Sequence, residues 1–107
     1  MINLADTRKA FSLGRVRWRR HALSRMLERE ILLQEAREII EHGEIIEEYT
    51  SSKPYPSCLV HGVSSGRPLH VVAAWDEIGK YVYIISVYEP DEEHFMPDLK
   101  TRKKDKS

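Results

Sequence analysis

His21, Arg25 and Glu28 stand at i, i+4 and i+7 in the run HALSRMLE, and Arg29 follows directly. In a helix, i+4 lies roughly 40° on from i and i+7 roughly 20° back, so the three side chains share one stripe. An imidazole, one or two guanidiniums and a carboxylate can bind and cut a phosphodiester. Histidine moves a proton near neutral pH. Arginine grips a phosphate with a two-pronged fork and offsets the charge that builds in the transition state. The same spacing also fits a solvated stripe carrying an Arg25–Glu28 pair.

Further candidates lie downstream. His70 sits within LHVVAAW. If Leu69, Val71, Ala73 and Trp75 face a helical layer, His70 lies on the opposite, open face of the sheet. It reads equally as a histidine packed in the core. His61 belongs to the preceding strand and falls near His70 across the hairpin. Tyr88 closes the last strand, where a tyrosine can stack on a base or donate a proton, or plug the core with its hydroxyl wet. Alternation places Tyr81 and Tyr83 on one face, and Val82, Ile84, Ser86 and Tyr88 on the other. Arg102, with Lys100, Lys103 and Lys104, reads either as phosphate contacts or as a solubilising tail. His42 ends a helix and His94 lies in a loop; neither these nor His61 is given a catalytic role. No pair follows the His-Glu-x-x-His metal pattern, so neither a metal nor another cofactor is expected.

Two helices and four strands are expected to position these groups. Apolar residues Ala22, Leu23, Met26 and Leu27 mark a helix from about Arg20, with that stripe pointing inward. Leu33, Ala36, Ile39 and Ile40 mark a second over 33–42, with Gly43 as its C′ stop. Neither helix has a capping side chain at its start, where Arg19 and Leu32 stand. Residues 1–14 are mixed, and Arg15–Trp18 reads as a short extended lead-in. After Gly43 the period changes to two. Strands are expected over 44–49, 57–63, 67–75 and 81–88, with a hairpin turn at Ser64-Ser65-Gly66. The layout is α+β: two N-terminal helices on a four-stranded antiparallel sheet, leaving the other sheet face partly open.

The chain of 107 residues is the length of one domain, with a structured core expected over about 15–98 and a frayed basic tail over 99–107. Hydrophobic residues at 41% exclude a disordered chain. There is no apolar run near the ~18 residues a membrane span needs, and no signal-type block at the start. A single cysteine, Cys58, excludes an internal disulfide. A soluble, cytoplasmic protein without membrane partners is expected. Net charge is zero, which argues against a simple polycation, yet the charge is segregated. Residues 1–27 carry +6, 28–50 carry −6, 51–98 carry −4 and 99–107 carry +4. If the two basic ends meet, they form one positive face suited to RNA.

These residues resemble a bacterial domain family of unknown function. The resemblance rests on His21-Ala22-x-x-Arg25-Met26-x-x-Arg29-x-Ile31 and on Val87-Tyr88-x-Pro90-Asp91 followed by Phe95, Asp98, Lys100 and Arg102. Between them, Gly43-Glu44-x-x-Glu47-x-Tyr49, Pro56, Gly62 and Arg67-Pro68-Leu69-His70-Val71-Val72 keep the family's order. That family is similar to RelE-like and BrnT-type ribonuclease toxins of the BECR fold, which also takes in barnase-like and colicin-type RNases. The resemblance implies a RelE-like α+β domain and metal-independent RNA cleavage, with mRNA on the ribosome as one substrate. It also implies a cognate antitoxin, of zinc-finger type in many such gene pairs. The roles it carries over land on His21, Arg25, Arg29, His70, Tyr88 and Arg102.

The expectation is therefore a small endoribonuclease toxin. A base takes the proton of a ribose 2′-OH, the 2′ oxygen attacks the adjacent phosphate, and an acid protonates the departing 5′ oxygen. His21 or His70 serves as base or acid, Arg25 clamps phosphate, and Tyr88 stacks or assists. Arg17, Arg20, Arg29, Arg102 and Lys103 bind RNA. The alternative is a non-catalytic module that binds RNA or protein. A third reading is a protein that mainly pairs with an antitoxin, or with itself as a homodimer, through an open sheet edge.

Overall fold

A computed structural model describes residues 2–103. Its elements run α1 (Leu4–Ser12), β1 (Val16–Trp18), α2 (Arg20–Glu28), α3 (Leu33–His42), β2 (Glu44–Tyr49), β3 (Ser57–Ser64), β4 (Arg67–Asp76) and β5 (Tyr81–Tyr88). The sheet has five strands in the order β1-β5-β4-β3-β2. All neighbours are antiparallel except β1 and β5, which are parallel.

The expected layout of two helices on four antiparallel strands is thus corrected to three helices on a five-stranded mixed sheet. The missed helix is α1. Its buried positions, Thr7, Ala10 and Phe11, follow helical spacing but include only one large apolar side chain. Asn3 starts it, its Oδ1 accepting the Ala5 N–H at 2.9 Å. Arg8 fixes α1 to α3, donating to the carbonyls of Ile40 at 2.9 Å and Gly43 at 2.8 Å. One charge of the basic N-terminal run is therefore structural. The missed strand is the lead-in itself: Val16, Arg17 and Trp18 pair with Val82, Tyr83 and Ile84.

α2 ends in a Schellman turn. Ile31 N–H donates to Met26 O at 2.9 Å and Glu30 N–H to Leu27 O at 3.2 Å. Glu30 occupies the left-handed position at φ 56, where glycine is usual. The stripe on α2 buries only in part. Ala22 and Met26 are in the core, whereas Leu23 and Leu27 stay 39% and 81% exposed. At the start of α3, Glu35 Oε1 accepts the Leu32 N–H at 2.9 Å and replaces the missing side-chain cap. Gly43 is not a left-handed stop: its φ and ψ are −82° and −174°. A Cβ here would lie 2.5 Å from the carbonyl oxygens of both Ile39 and His61, so close backbone approach demands the glycine.

The core lies between the helices and one sheet face. Phe11, Met26, Ile39 and Ile40 meet Val60, Leu69, Val71, Ala73, Trp75, Val82, Ile84 and Val87. The Ser64-Ser65-Gly66-Arg67 hairpin turns through two residues of positive φ, 50 and 80. Among the described residues, no helix is long and apolar enough to cross a membrane.

Candidate functional site

Sequence alternation would send Tyr88 to the core side of β5 with Val82 and Ile84, and the structure corrects that. Val72 pairs with Ser86, but Ala73 pairs with Ile84, leaving Ile85 as an extra residue in β5. Beyond this bulge the faces exchange. Val87 is buried in the core, and Tyr88 joins the open face opposite His70. On the other side of His70, the β3–β4 register sets His61 directly opposite it. Three hydrogen-bonding rings thus stand in a row across β3, β4 and β5.

His70 Nε2 lies 2.7 Å from the Leu99 carbonyl, which can only accept, so this nitrogen carries the proton. His70 Nδ1 is then an acceptor, and the Tyr88 hydroxyl donates to it at 3.2 Å. His61 Nδ1 lies 3.1 Å from the same His70 Nε2. The Phe95 ring meets His70 edge-on at 4.7 Å between centroids. His70 has no exposed surface. Burial lowers the pKa of His70 and of His61 and favours neutral rings. Burial also raises the pKa of the Tyr88 phenol.

The cover over the histidines is the segment after Pro97, of which residues 99–107 were expected to be frayed and are found fastened as far as residue 103. Residues 104–107, including Lys104, lie outside the described residues. Asp98 Oδ1 accepts the N–H groups of Lys100 and Thr101 at 2.9 and 3.0 Å. These bonds, Thr101's first, bring the Asp98 carboxyl down to about 2. Lys100 pairs with Glu44 on β2 at 2.9 Å. Arg102 bonds both carboxylate oxygens of Glu47, each at 3.1 Å. That guanidinium lowers the Glu47 pKa, and the Tyr49 hydroxyl donates to the same carboxylate. Burial, then the Glu47 bond, raises the Tyr49 pKa to about 12. The basic tail therefore neutralises the acidic edge strand β2, while Arg15 and Arg17 lie at the opposite edge, by β1. The two basic ends do not form one face.

Beside Tyr88 an open cleft of about 610 Å³ is lined by Arg29, Arg67, Tyr88, Glu89, Asp91, His94, Phe95 and Arg102. Arg29 reaches it from the end of α2, anchored by one donation to Val87 O at 2.8 Å. Among the described residues no carboxylate lies within 4 Å of Arg29. Arg67 binds the carbonyls of Arg29 and Glu30, both at 3.0 Å, and Glu89 at 3.0 Å. It thereby locks the α2 terminus to the strand end. His94 Nδ1 lies 2.9 Å from Asp91 Oδ1, so in the neutral ring the proton sits on Nδ1 and Nε2 is the acceptor. The His94 bond, first, lowers the Asp91 pKa.

Of the residues singled out in the sequence, Tyr88, Arg29 and Arg102 line this cleft and His70 lies sealed beneath Tyr88. His21 and Arg25 do not line it. They are exposed on α2, with Arg25 Nε 3.5 Å from His21 Nε2 and Nη1 3.7 Å from Glu28. Arg17 stacks on Tyr81 at the β1 edge, Arg20 is exposed at the start of α2, and Lys103 is exposed with its N–H on His94 O. Asp91, which the sequence offers only as part of the terminal motif, and His94, expected to have no catalytic role, are the cleft residues not foreseen as a pair. Their three-residue spacing after Pro90 was the available signal, since an Asx turn at Asp91 brings the two side chains together. Asp91, Glu93 and His94 form one exposed acidic cluster. His94 Nδ1 is committed to Asp91 there, and no metal is assigned.

Residues 18–89 match the family described as Domain of unknown function (DUF4258). No curated protein and no solved structure matches the chain.

Proposed function

The chain belongs to the DUF4258 family, whose description leaves its chemistry open, and we propose from the cleft itself that it is an RNA-cleaving enzyme. The observation that carries this reading is convergence. Guanidiniums from α2, β4 and the C-terminal segment meet Tyr88 and a carboxylate-oriented imidazole, His94, around one opening. Arg29, with no carboxylate within 4 Å among the described residues, supplies charge a pentacoordinate phosphate needs, and Arg67 and Arg102 add N–H donors beside their carboxylate pairs. His94 Nε2 removes the 2′-OH proton, with Asp91 fixing the tautomer. The 2′ oxygen bonds to phosphorus as the bond to the 5′ oxygen breaks, and the Tyr88 hydroxyl turns its proton from His70 Nδ1 to the departing 5′ oxygen. Solvent then carries the His94 proton back to Tyr88. His70 positions the Tyr88 hydroxyl and does not touch substrate. The products are a 2′,3′-cyclic phosphate and a 5′-hydroxyl end.

The test is labelled RNA in chelator, with and without ribosomes. Wild type should produce those ends, and His94→Ala should lose roughly 10²–10⁴-fold in rate. Negligible cleavage by wild type under both conditions overturns the reading.

The toxin role draws on the motif resemblance to RelE- and BrnT-type ribonucleases, and with it comes an antitoxin partner of zinc-finger type. Growth arrest on expression, relieved by the Arg29→Ala, His94→Ala double variant, is the expected outcome. A second reading is a module that holds RNA or protein without cutting it. Two observations favour it: His70 is fully buried, and Arg67 and Arg102 already hold carboxylates. RNA retained intact by wild type selects this reading.

A further inference from the structure

The far end of β5 carries a second cluster that the cleft does not use. Register places Arg17 beside Tyr83, so both project from the same open face as Tyr81. Arg17 Cζ lies 4.7 Å from the Tyr81 ring centroid, and Arg15 Cζ lies 5.3 Å from it. Tyr55 comes up from the loop between β2 and β3 and stacks on Tyr83, with centroids 5.2 Å apart and planes 15° from parallel. That loop is held where Trp75 N–H donates to Pro56 O at 3.0 Å. Arg15 and Arg17 are exposed, and among the described residues neither has a carboxylate within 4 Å. The nearby Glu77 is taken by Lys80, and Asp76 Oδ1 accepts the N–H groups of Ile78 and Gly79. Aromatic rings interleaved with unpaired guanidiniums on an open sheet face suit a ligand that offers both flat rings and spaced negative charge.

We propose that Arg15, Arg17, Tyr81, Tyr83 and Tyr55 form a platform for single-stranded RNA, which stacks bases on the tyrosines and runs along β5 toward the cleft. Only unpaired bases expose their faces for stacking, so duplex RNA is a poor ligand. An acidic peptide satisfies the guanidiniums but leaves the ring faces unused. Along β5, Tyr81 and Tyr88 are separated by roughly 23 Å at strand rise, so strand bound at the platform continues to the opening beside Tyr88. The direction of travel rests on the cleavage reading above; binding at the platform does not.

The test is binding of a labelled single-stranded RNA and of a matched duplex hairpin across a salt series, using the full chain. Wild type should hold the single strand at least about tenfold more tightly. Tyr83→Ala should weaken it by about tenfold or more, the worth of one stacked base. Arg15→Gln with Arg17→Gln, both on the surface, should reduce the slope of log affinity against log salt by about 0.7 for each guanidinium removed. Far-UV circular dichroism confirms that each variant is folded. If Tyr83→Ala unfolds, the glutamine pair and the single-strand preference decide the matter. Equal affinity for duplex, an unchanged salt slope, or an acidic peptide bound in place of RNA overturns the platform. RNA bound here but never cut keeps the platform and removes the cleavage reading. RNA cut with equal affinity and rate by wild type and platform variants does the reverse.

Discussion

Arg102 and Glu47 lie 55 residues apart in sequence and meet in a two-point guanidinium–carboxylate pair. This pair, with Lys100 on Glu44, ties the C-terminal segment across β2 and holds the Leu99 carbonyl against His70. Arg102→Ala should loosen that cover. The pair is half exposed on the arginine side, so the cost is about 1 kcal/mol, or roughly 4 °C in Tm. The sharper readout is local. The amide of Lys103 should exchange faster, and His61 and His70 should become reactive to an imidazole-modifying reagent while the helical amides keep their protection.

The two sealed histidines give stability a pH dependence of definite sign. Their folded pKa values lie below the ordinary value of 6.5, chiefly through burial. Between the folded and unfolded values the unfolded chain binds more protons. Stability is therefore full above about pH 6.5 and falls as pH drops below it. Tm should decline from pH 7 to pH 5, and His61→Asn with His70→Gln should flatten that decline. Loss of the Glu47–Arg102 pair belongs to a separate window below pH 4.5, because the Glu47 pKa is lowered.

Gly43→Ala should destabilise the fold by roughly 2 kcal/mol. The new methyl meets two backbone oxygens and the Val60 side chain, and backbone cannot swing aside. Urea denaturation measures the loss. A serine variant should fare no better.

Glu30→Gly should act in the other direction. The left-handed φ of 56 strains any side chain, and glycine relieves it. A gain of about 0.5–1 kcal/mol in urea denaturation is expected. The Arg67 contact is to the Glu30 carbonyl, which the substitution keeps.

Most of the elements were legible from period alone. α2, α3, β2 and β5 fall where apolar spacing sets them, and β3 and β4 differ from expectation by one residue at the end. α1 was hidden because Thr7 and Ala10 bury well without supplying a large apolar side chain. β1 was hidden because three residues carry no period, and their pairing depends on a strand more than sixty residues away. At the site, Arg29, Tyr88 and Arg102 were readable as residue types. The sealing of His70 was not, since the carbonyl that seals it belongs to Leu99 and any residue type supplies one. His94 was passed over because its partner is visible only once Asp91 is recognised as a turn former.

The single surplus residue in β5 carries more than geometry. With Ile85 kept in strict alternation instead of bulging, the terminal phenol of that strand would swing into the helical layer and Val87 would come out in its place. A sequence shortened by that one position should still set Tyr88 opposite His70, because the pairs Val72–Ser86 and Ala73–Ile84 would then follow one another without a break. In this protein a bulge one residue long decides whether Tyr88 meets His70 or the core.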